Sequence, residues 1–328
     1  MRLPEVVYKA GPLRAAVLGY GAFVPEHRVS NDELARTVDT SDEWIRQRTG
    51  IAERRVARVG MTTAELALPA ARAALERAEV LPSELDLIVL GTTSPDRPFP
   101  STACDLQRML GSESAMAMDV LAACSSWLYA VSTAERYIAG GSVRRALVVG
   151  AEVMTRLLDF TDRGTCVLFG DGAGAAVLGP STTAGFESFV LGADGTKSDM
   201  IYYGPDETHT EDRLRMNGAE TFRVAPKTME GAARRACAAA GVSLSEIDVV
   251  VPHQANARIV EVLARRLQMP VEKFLVNIEN YGNTSSASIP LVLDEAVNDG
   301  RIRPGNRILL VTFGAGLTWG ATVLTCGA

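Results

Sequence analysis

The chain repeats one local pattern, in which an amphipathic segment is followed by a polar turn and a short run rich in apolar residues. The clearest runs are LDLIVL at 85–90 and IDVVVP at 247–252. The segments before them carry apolar residues at the spacing of a helix, and the runs have the length of strands. Strands that are apolar on both faces are typical of parallel sheets covered by helices on each side. The pattern therefore predicts an α/β protein.

The C-terminal segment 308–328 contains no charged residue, but it is interrupted by Gly314, Gly316, Gly320 and Gly327. A helix that spans a membrane needs about 20 consecutive apolar residues. The short β-rich runs between these glycines instead favour two buried strands joined by a tight turn.

The second half of the chain resembles the first at a constant offset. ARAALERAEVLPSELDLIVL, which begins at Ala71, aligns without gaps with ARRACAAAGVSLSEIDVVVP, which begins at Ala233, 162 residues later. The same offset aligns RRALVV at 144–149 with NRILLV at 306–311. Any two helix–turn–strand units share some likeness, but two separate segments at one offset favour an internal duplication. We therefore expect two similar βα halves that bind ligands beyond the carboxyl ends of their strands.

The composition is that of an ordinary folded protein, with 47% apolar and 22% charged residues. The formal net charge of -6 argues against a nucleic-acid-binding surface, which would be basic. The five cysteines are widely spaced and include no C-x-x-C pair, so neither a zinc cluster nor a disulfide framework is expected. This cysteine usage, together with an N-terminus that lacks the apolar core of a signal peptide, favours a cytoplasmic protein.

Cys124 is the candidate nucleophile. It follows the strand-like AMAMDVLAA and precedes a segment with helical periodicity. A cysteine at the first turn of a helix faces free backbone N–H groups and the positive end of the helix dipole, and both favour the reactive thiolate. A buried cysteine that only fills space is the alternative. The other cysteines lie within helix or strand patterns and are expected to be structural.

Further candidates follow strands of the second half. His253 comes directly after IDVVVP, where the duplication would place a partner for Cys124. Asn283 lies in the turn-forming ENYGNTSSAS, after the strand-like KFLVNI. Glycines around Ala315 would let backbone N–H groups approach a ligand closely. The alternatives are a structural histidine and a plain loop with helix-capping hydroxyls.

In number and order these motifs resemble the β-ketoacyl-acyl-carrier-protein synthase III family, the condensing enzymes that start bacterial fatty-acid synthesis. The likeness extends from about Leu13 to the C-terminus. Its motifs are DTSDEWIRQRTGI (39–51), FPSTAC (99–104), TDRGT (161–165), GDGAGAAVL (170–178), PHQAN (252–256), YGNTSSAS (281–288) and FGAGLTWG (313–320). The resemblance implies an α/β, thiolase-like fold whose internally duplicated βα halves form a layered αβαβα arrangement. The halves would be 1–180, with the nucleophile, and 181–328, with the histidine and asparagine.

The resemblance also assigns catalytic roles. Cys124 would accept the acyl group of an acyl-CoA as a thioester. His253 and Asn283 would bind the thioester oxygen of malonyl-acyl-carrier protein and stabilise the enolate that forms when carbon dioxide is lost. The backbone N–H groups of Cys124 and Ala315 would form the oxyanion hole for the acyl carbonyl. No metal or other cofactor is implied, because the coenzyme A thioester is itself a substrate.

The same likeness places the adenine of coenzyme A between Trp44 and Arg163. An indole face and a guanidinium plane both stack well on a purine. Thr40 and Arg48 would lie nearby, and Asn256 would line the tunnel for the pantetheine arm.

Two aromatic residues bear on the acyl pocket. Phe99 matches the residue that enters the acyl pocket of the neighbouring subunit, so a homodimer is expected. Trp127 stands three positions after Cys124 and would lie on nearly the same face of a helix. It either shortens the acyl pocket or packs as core between helix and sheet.

A basic cluster suits the docking of an acidic carrier protein. Arg258 and Arg265 are seven residues apart and would share one helix face, with Arg266 beside them. A solvated helix face is the alternative interpretation.

Three positions depart from the family pattern; the first departure leaves the primer open, and the third would weaken coenzyme A binding slightly. Ser125–Trp127 replaces a smaller, glycine-containing run, Ala315 replaces a glycine, and Ala219 stands where an asparagine is common. The leading hypothesis is condensation of acetyl-CoA, or a short branched acyl-CoA, with malonyl-acyl-carrier protein. One alternative is a secondary-metabolism relative that uses an unusual primer or transfers an acyl group without decarboxylation.

A third hypothesis, a non-catalytic partner subunit, is disfavoured because Cys124, His253 and Asn283 are all present. A degradative thiolase is also disfavoured, since the glycine-rich strip near Ala315 contains no second cysteine. Neither a nucleic acid nor a membrane is expected as a partner.

Overall fold

The computed structural model describes residues 5–206 and 210–327, and within these ranges short loops and 3-10 turns connect the strands and helices. The strands are β1 (Glu5–Lys9), β2 (Arg14–Phe23), β3 (Arg28–Ser30), β4 (Glu53–Arg55), β5 (Leu87–Gly91), β6 (Met116–Val120), β7 (Ala146–Glu152), β8 (Gly172–Ser181), β9 (Gly185–Ala193), β10 (Ile201–Gly204), β11 (Arg213–Met216), β12 (Val249–Pro252), β13 (Arg307–Gly314) and β14 (Thr318–Thr325). The helices are α1 (Asn31–Leu34), α2 (Asp42–Thr49), α3 (Thr63–Arg77), α4 (Thr102–Leu110), α5 (Ser126–Ala139), α6 (Gly218–Ala240), α7 (Ala257–Leu267), α8 (Ile278–Tyr281) and α9 (Ser288–Asn298).

Two five-stranded sheets form the centre of the molecule. The first has the strand order β2-β8-β7-β5-β6, and the second has the order β1-β9-β14-β13-β12. Every residue of β5 and β12 is buried, which confirms that the two apolar runs are covered strands. Strands β13 and β14 pair antiparallel across a short connection, as predicted for the uncharged C-terminal segment.

The strand register repeats the offset seen in the sequence. Leu87 of β5 pairs in parallel with Ala146 of β7, and Val249 of β12 pairs in parallel with Ile308 of β13. Each residue of the second pair lies 162 positions after its counterpart in the first. The duplication predicted from sequence is therefore a duplication of structure.

The helices and sheets form five layers. Helices α5 and α9 lie between the two sheets and share one apolar core with both. Helices α3 and α4 cover the outer face of the first sheet, and α6 and α7 cover the outer face of the second. This arrangement confirms the predicted αβαβα layering, which buries both faces of each sheet.

One strand crosses between the halves. β1 pairs antiparallel with β9 at the edge of the second sheet, although a division at residue 180 assigns β1 to the first half. All five strands of the first sheet lie within 14–181, and the other four strands of the second sheet lie within 185–325.

Candidate active site

A cavity of about 1370 Å³ lies where strands of both sheets end. Residues one or two positions beyond five strands line it: Thr93 after β5, Leu121 after β6, Met154 after β7, His253 after β12 and Ala315 after β13. The carboxyl ends of strands from the two halves therefore enclose one space, as expected for ligand sites in open α/β sheets.

Cys124 lies in a sharp 3-10 turn between β6 and α5, with its side chain partly open to the cavity. The preceding Ala123 has a φ of +50°, which residues other than glycine rarely adopt. Thr318 donates a hydrogen bond to the carbonyl oxygen of Ala122 at 2.8 Å, and Thr312 donates to that of Cys124 at 3.1 Å. Both threonines belong to the second sheet, so the second half of the molecule holds the Cys124 turn of the first half in place.

Strand β13 approaches this turn closely because it ends in glycine. A Cβ atom at Gly314 would lie 2.8 Å from the backbone nitrogen of Cys124 and 3.1 Å from that of Ser125. Any larger residue would push the strand away from the turn. Ala315, the next residue, lines the cavity. The backbone around 314–315 and the backbone N–H of Cys124 therefore lie at the same wall of the cavity.

Burial and hydrogen bonding act in opposite directions on the pKa of the Cys124 thiol. Burial raises its pKa to about 12, and the negative charge of Glu152 acts in the same direction. Hydrogen bonds with Ser285 and with the cysteine's own backbone lower this pKa but do not offset burial. Desolvation therefore opposes the thiolate that the nearby N–H groups favour, and the role of Cys124 as the nucleophile stays a prediction.

His253 follows β12 and is almost fully buried, with 2% of its surface exposed. Its Nδ1 lies 2.7 Å from Oγ of Ser288, and burial lowers its pKa to about 3, so the ring is neutral at pH 7. The backbone N–H of Gln254 also donates to this Oγ, at 3.4 Å. In the tautomer in which the Ser288 hydroxyl donates to Nδ1, the ring hydrogen lies on Nε2.

Asn283 lies between α8 and α9 and lines the cavity together with Cys124 and His253. Its backbone N–H donates to the carbonyl oxygen of Leu168 at 2.8 Å. Its side-chain oxygen accepts a hydrogen bond from the backbone N–H of Ser285 at 2.8 Å. Because that oxygen is engaged, the amide NH₂ is the group left to donate to a ligand.

Trp44, Arg48 and Arg163 form a partly exposed stack beside the cavity. The guanidinium carbons of Arg48 and Arg163 lie 4.7 Å and 4.9 Å from the centre of the Trp44 ring. Arg163 also donates to the backbone oxygen of Asp39 at 2.8 Å. The structure thus brings together three of the residues that the sequence associates with adenine.

Thr40 and Asn256 lie close to this stack. The Thr40 hydroxyl is buried and has no hydrogen-bond partner among residues 5–206 and 210–327. Asn256 caps α7 by accepting from the backbone N–H of Arg258 at 2.9 Å, and it donates to the backbone oxygen of Arg48 at 3.0 Å. Asn256 therefore ties α7 to α2 at the wall of the cavity.

Trp127 is a core residue, which corrects its assignment to the acyl pocket. Its side chain is 1% exposed, belongs to the core between the sheets, and is not among the residues that line the cavity. Cys124 lies in a separate 3-10 turn before α5 begins at Ser126. A shared angular position does not give two side chains the same surroundings: Cys124 lines the cavity, whereas Trp127 packs between the two sheets.

Phe99 has the opposite environment. It is 82% exposed and does not contact the cavity of its own chain. Leu121, which lines the cavity, is 73% exposed. Two large apolar side chains near the site therefore remain uncovered in the single chain.

The three arginines of the predicted docking cluster are exposed but differ in their contacts. Arg258 lines the cavity, and its guanidinium carbon lies 5.2 Å from the centre of the Phe222 ring. Arg266 forms an ion pair with Glu230 at 2.7 Å. This pair partly neutralises Arg266 and leaves Arg258 and Arg265 as the more accessible charges.

Sequence reasoning missed the polar residues that hold the site, which are Glu152, Ser285, Ser288, Thr312 and Thr318. Four of them are hydroxyl residues within or next to motifs that the sequence did identify, where they were interpreted as helix caps or strand residues. A glutamate at the end of a buried strand was the signal that could have revealed Glu152, because unpaired carboxylates are rarely buried.

In the described part of the chain, no cluster of three or more His, Cys, Asp and Glu side chains is placed to bind a metal ion. No helix within residues 5–206 and 210–327 is long and apolar enough to cross a membrane.

Comparison with known proteins places these features in a family. The family model for 3-oxoacyl-[acyl-carrier-protein] synthase III matches residues 118–195, and the model for its C-terminal part matches residues 237–326. A β-ketoacyl-[acyl-carrier-protein] synthase III of Erythrobacter litoralis is 48% identical over 318 residues, covering 95% of this chain and 99% of that protein.

Solved structures agree with this match. The 3-oxoacyl-[acyl-carrier-protein] synthase III from Aquifex aeolicus superposes with a TM-score of 0.91 at 43% identity, covering 95% of this chain and 99% of the other. The priming β-ketosynthase of the R1128 polyketide pathway superposes with a TM-score of 0.92 at 37% identity, covering 100% and 98%. On the strength of these matches and of the cysteine, histidine and asparagine that meet in one cavity, the chain belongs to the β-ketoacyl-acyl-carrier-protein synthase III family of thiolase-fold condensing enzymes.

Proposed function

We propose that this enzyme condenses a short acyl-CoA, with acetyl-CoA as the first choice, with malonyl-acyl-carrier protein to give a 3-oxoacyl-acyl-carrier protein and start fatty-acid synthesis. The observation that carries the proposal is the meeting of one thiol and two neutral hydrogen-bond donors in a single cavity. Cys124 comes from the first half, and His253 and Asn283 come from the second.

In the first half-reaction, the Cys124 sulfur attacks the carbonyl carbon of the acyl-CoA. A new carbon–sulfur bond forms, the bond to coenzyme A breaks, and coenzyme A leaves as a thiol with the proton that Cys124 gives up. The negative charge that develops on the carbonyl oxygen would be stabilised by the backbone N–H groups of Cys124 and Ala315. The close approach of Gly314 to the Cys124 nitrogen supports this assignment.

In the second half-reaction, the thioester oxygen of the malonyl group would accept hydrogen bonds from Nε2–H of His253 and from the Asn283 amide. The bond to the malonyl carboxylate breaks, carbon dioxide leaves, and the electron pair forms an enolate. The enolate carbon attacks the acyl carbon on Cys124, and the cysteine leaves as a thiolate that takes up a proton. Neutral donors suit this step, since a histidine with a pKa of about 3 remains a hydrogen-bond donor without acting as an acid.

Coenzyme A binding requires one local movement. A purine stacked on both sides needs about 3.5 Å on each face, hence roughly 7 Å between Trp44 and Arg163. The Arg163 guanidinium carbon is 4.9 Å from the Trp44 ring centre. Arg163 would therefore move outward, away from Asp39, when the adenine enters. The unpaired hydroxyl of Thr40 is a suitable partner for a polar group of the nucleotide.

The acyl chain would lie against the apolar part of the cavity wall, which includes Met154, Leu157, Phe169, Ile201 and Leu214. A homodimer would complete this wall. The edge strand β6 exposes Met116, and Phe99 and Leu121 are exposed beside it. An unpaired edge with uncovered apolar side chains is suited to pairing with a second copy.

The carrier protein would dock near the cavity mouth, through Arg258 and Arg265. Both side chains are exposed, and Arg258 lies at the entrance that the phosphopantetheine arm would use. Arg266 would contribute less, because Glu230 already pairs with it.

A second candidate is the priming of a secondary-metabolism pathway. It is favoured by one observation, the likeness to the R1128 priming β-ketosynthase over 100% of this chain, compared with 95% for the Aquifex aeolicus synthase. The two candidates share the chemistry and differ in the primer.

A primer screen tests the proposal. The enzyme is mixed with acetyl-, propionyl-, isobutyryl-, hexanoyl- and octanoyl-CoA in turn, with malonyl-acyl-carrier protein, and the products are weighed by mass spectrometry. We expect acetyl-CoA to react fastest and a peptide digest to place the acyl group on Cys124. Acylation of Cys104 or Cys166 instead would show that the nucleophile is wrong.

A further inference from the structure

Glu152 is a buried carboxylate that the proposed chemistry does not use. It ends strand β7, has 0% of its surface exposed, and is surrounded by neutral hydrogen-bond donors. The donors are Thr92 Oγ1 at 3.1 Å, Thr93 N at 3.0 Å, Thr93 Oγ1 at 2.9 Å, Ser94 N at 3.1 Å, Ser94 Oγ at 2.6 Å, Ser285 Oγ at 3.0 Å and Ser286 N at 3.4 Å. An ionised carboxylate suits this position, because it can only accept hydrogen bonds and each of these neighbours donates one.

These donors come from both halves of the molecule. Residues 92–94 follow β5 of the first sheet, whereas Ser285 and Ser286 belong to the segment that leads into α9. Ser285 has a φ of +49°, which is uncommon for a residue other than glycine and persists only where the surroundings enforce it. Glu152 therefore connects the first sheet to a strained turn of the second half.

That turn carries the Asn283 amide. The Ser285 hydroxyl donates to Glu152, and the Ser285 backbone N–H donates to the Asn283 side-chain oxygen at 2.8 Å. Ser285 is thus bound to the Glu152 carboxylate through its side chain and to the Asn283 amide through its backbone. A shift of Ser285 would turn the Asn283 amide or leave its oxygen free to rotate.

We infer that Glu152 is a positioning residue for Asn283, acting through Ser285 to aim the amide donor at the thioester oxygen of the malonyl substrate. This inference rests on the proposed function, because it assumes the role given there to Asn283. A residue that only stabilised the fold would lower every step by the same factor. A positioning residue lowers decarboxylation selectively.

The test compares two rates in Glu152→Gln. Single-turnover experiments measure acylation of Cys124 by acetyl-CoA and release of carbon dioxide from malonyl-acyl-carrier protein. Glutamine keeps the shape, but an NH₂ group in place of either oxygen faces a backbone N–H of Thr93, Ser94 or Ser286, which can only donate. This repulsion displaces the turn. Loss of the Glu152 charge also lowers the pKa of Cys124 and can speed acylation by itself, so the decarboxylation rate is measured on its own as well. We expect that rate to fall by about 10- to 100-fold, as a displacement of about 1 Å produces, while acylation does not fall with it. An unchanged decarboxylation rate overturns the inference.

Glu135→Gln is the matched control. Glu135 is also 0% exposed, lies on α5, and is bonded by Arg136 and Tyr8 rather than by residues of the cavity. We expect it to lower stability and leave the ratio of the two rates at the wild-type value. If Glu135→Gln lowered the ratio as much as Glu152→Gln, loss of any buried carboxylate would explain the effect and the inference would fail.

The Asn283→Ala background separates the inference from the proposed function. If Asn283→Ala alone leaves decarboxylation intact, the proposed function fails. The proposed function requires instead that Asn283→Ala abolishes most decarboxylation. If adding Glu152→Gln to that variant then lowers the remaining rate by the same factor as in the wild type, only the inference fails. We expect Glu152→Gln to cause little further loss there, because the group it aims is gone.

Ser285→Ala provides a second route should Glu152→Gln not fold. It removes the hydroxyl that Glu152 holds and leaves the backbone N–H in place. The same hydroxyl lowers the pKa of Cys124, so its loss can also slow acylation, and the decarboxylation rate is measured on its own. We expect that rate to fall by about 3- to 10-fold, which corresponds to the loss of one hydrogen bond of about 1 kcal/mol. A wild-type decarboxylation rate in Ser285→Ala also contradicts the inference.

Discussion

The hydroxyl of Ser288 should determine which nitrogen of His253 carries the hydrogen, and Ser288→Ala tests this. The two atoms lie 2.7 Å apart in a buried site. The proposed reaction uses the tautomer of His253 that carries its hydrogen on Nε2. Without the Ser288 hydroxyl, Nδ1 of this tautomer is a buried acceptor with no hydrogen-bond donor. Leaving a buried group unpaired costs about 1–3 kcal/mol, and each 1.4 kcal/mol corresponds to a factor of ten. Decarboxylation should therefore fall by roughly 5- to 150-fold.

Acylation of Cys124 should remain close to the wild-type rate, because it uses the backbone donors at Cys124 and Ala315 instead of the imidazole. The assay is the same pair of single-turnover measurements, with acetyl-CoA and with malonyl-acyl-carrier protein. Ser286→Ala is a suitable control, since Ser286 is 1% exposed and its Oγ donates to the carbonyl oxygen of Gly91 at 2.9 Å, with no contact to His253. Full decarboxylation in Ser288→Ala, or an equal loss of both rates, would refute the tautomer argument.

Three further predictions follow from burial and stacking. The pKa of His253 is about 3 in the folded protein and 6.5 ordinarily, so the unfolded chain binds more protons between these values. The free energy of unfolding should therefore decrease as pH falls from 6.5 towards 3, by about 1.4 kcal/mol per pH unit from this group. Urea unfolding at several pH values measures this dependence. His253→Gln should abolish it, whereas the control His27→Gln, at an exposed position, should keep it. Trp127→Ala should destabilise the protein by about 3–5 kcal/mol in thermal or chemical unfolding. It should leave the order of primer preference unchanged. Faster turnover of octanoyl-CoA would instead show that Trp127 lines the acyl pocket. Trp44→Ala and Arg163→Ala should each weaken coenzyme A binding by about 1–2 kcal/mol in calorimetry, and unchanged affinity would place the adenine elsewhere.

Local pattern was enough to predict the layers of the fold. The two apolar runs are buried strands in the structure. The pairing of β5 with β7 and the pairing of β12 with β13 have the same register, and their residues are related by the 162-residue offset. Strand ends are also local features, so Cys124 and His253 could be placed at the same edge before any contact was known. Alternation of apolar and polar positions is encoded residue by residue, which is why a single sequence reveals it.

Contacts between distant segments were decided only by the tertiary structure. The pairing of β1 with the second sheet leaves no periodic signal in the chain, and packing between the two sheets, which sequence spacing does not show, places Trp127 in the core. The state of the thiol also depended on burial by residues far away in sequence, which raises its pKa to about 12. Likewise, the hydrogen bonds of Ser288 to His253 and of Ser285 to Glu152 join residues 35 and 133 positions apart. Side-chain direction and desolvation arise from packing of the whole chain, so the sequence could name the reacting residues but not the groups that hold them.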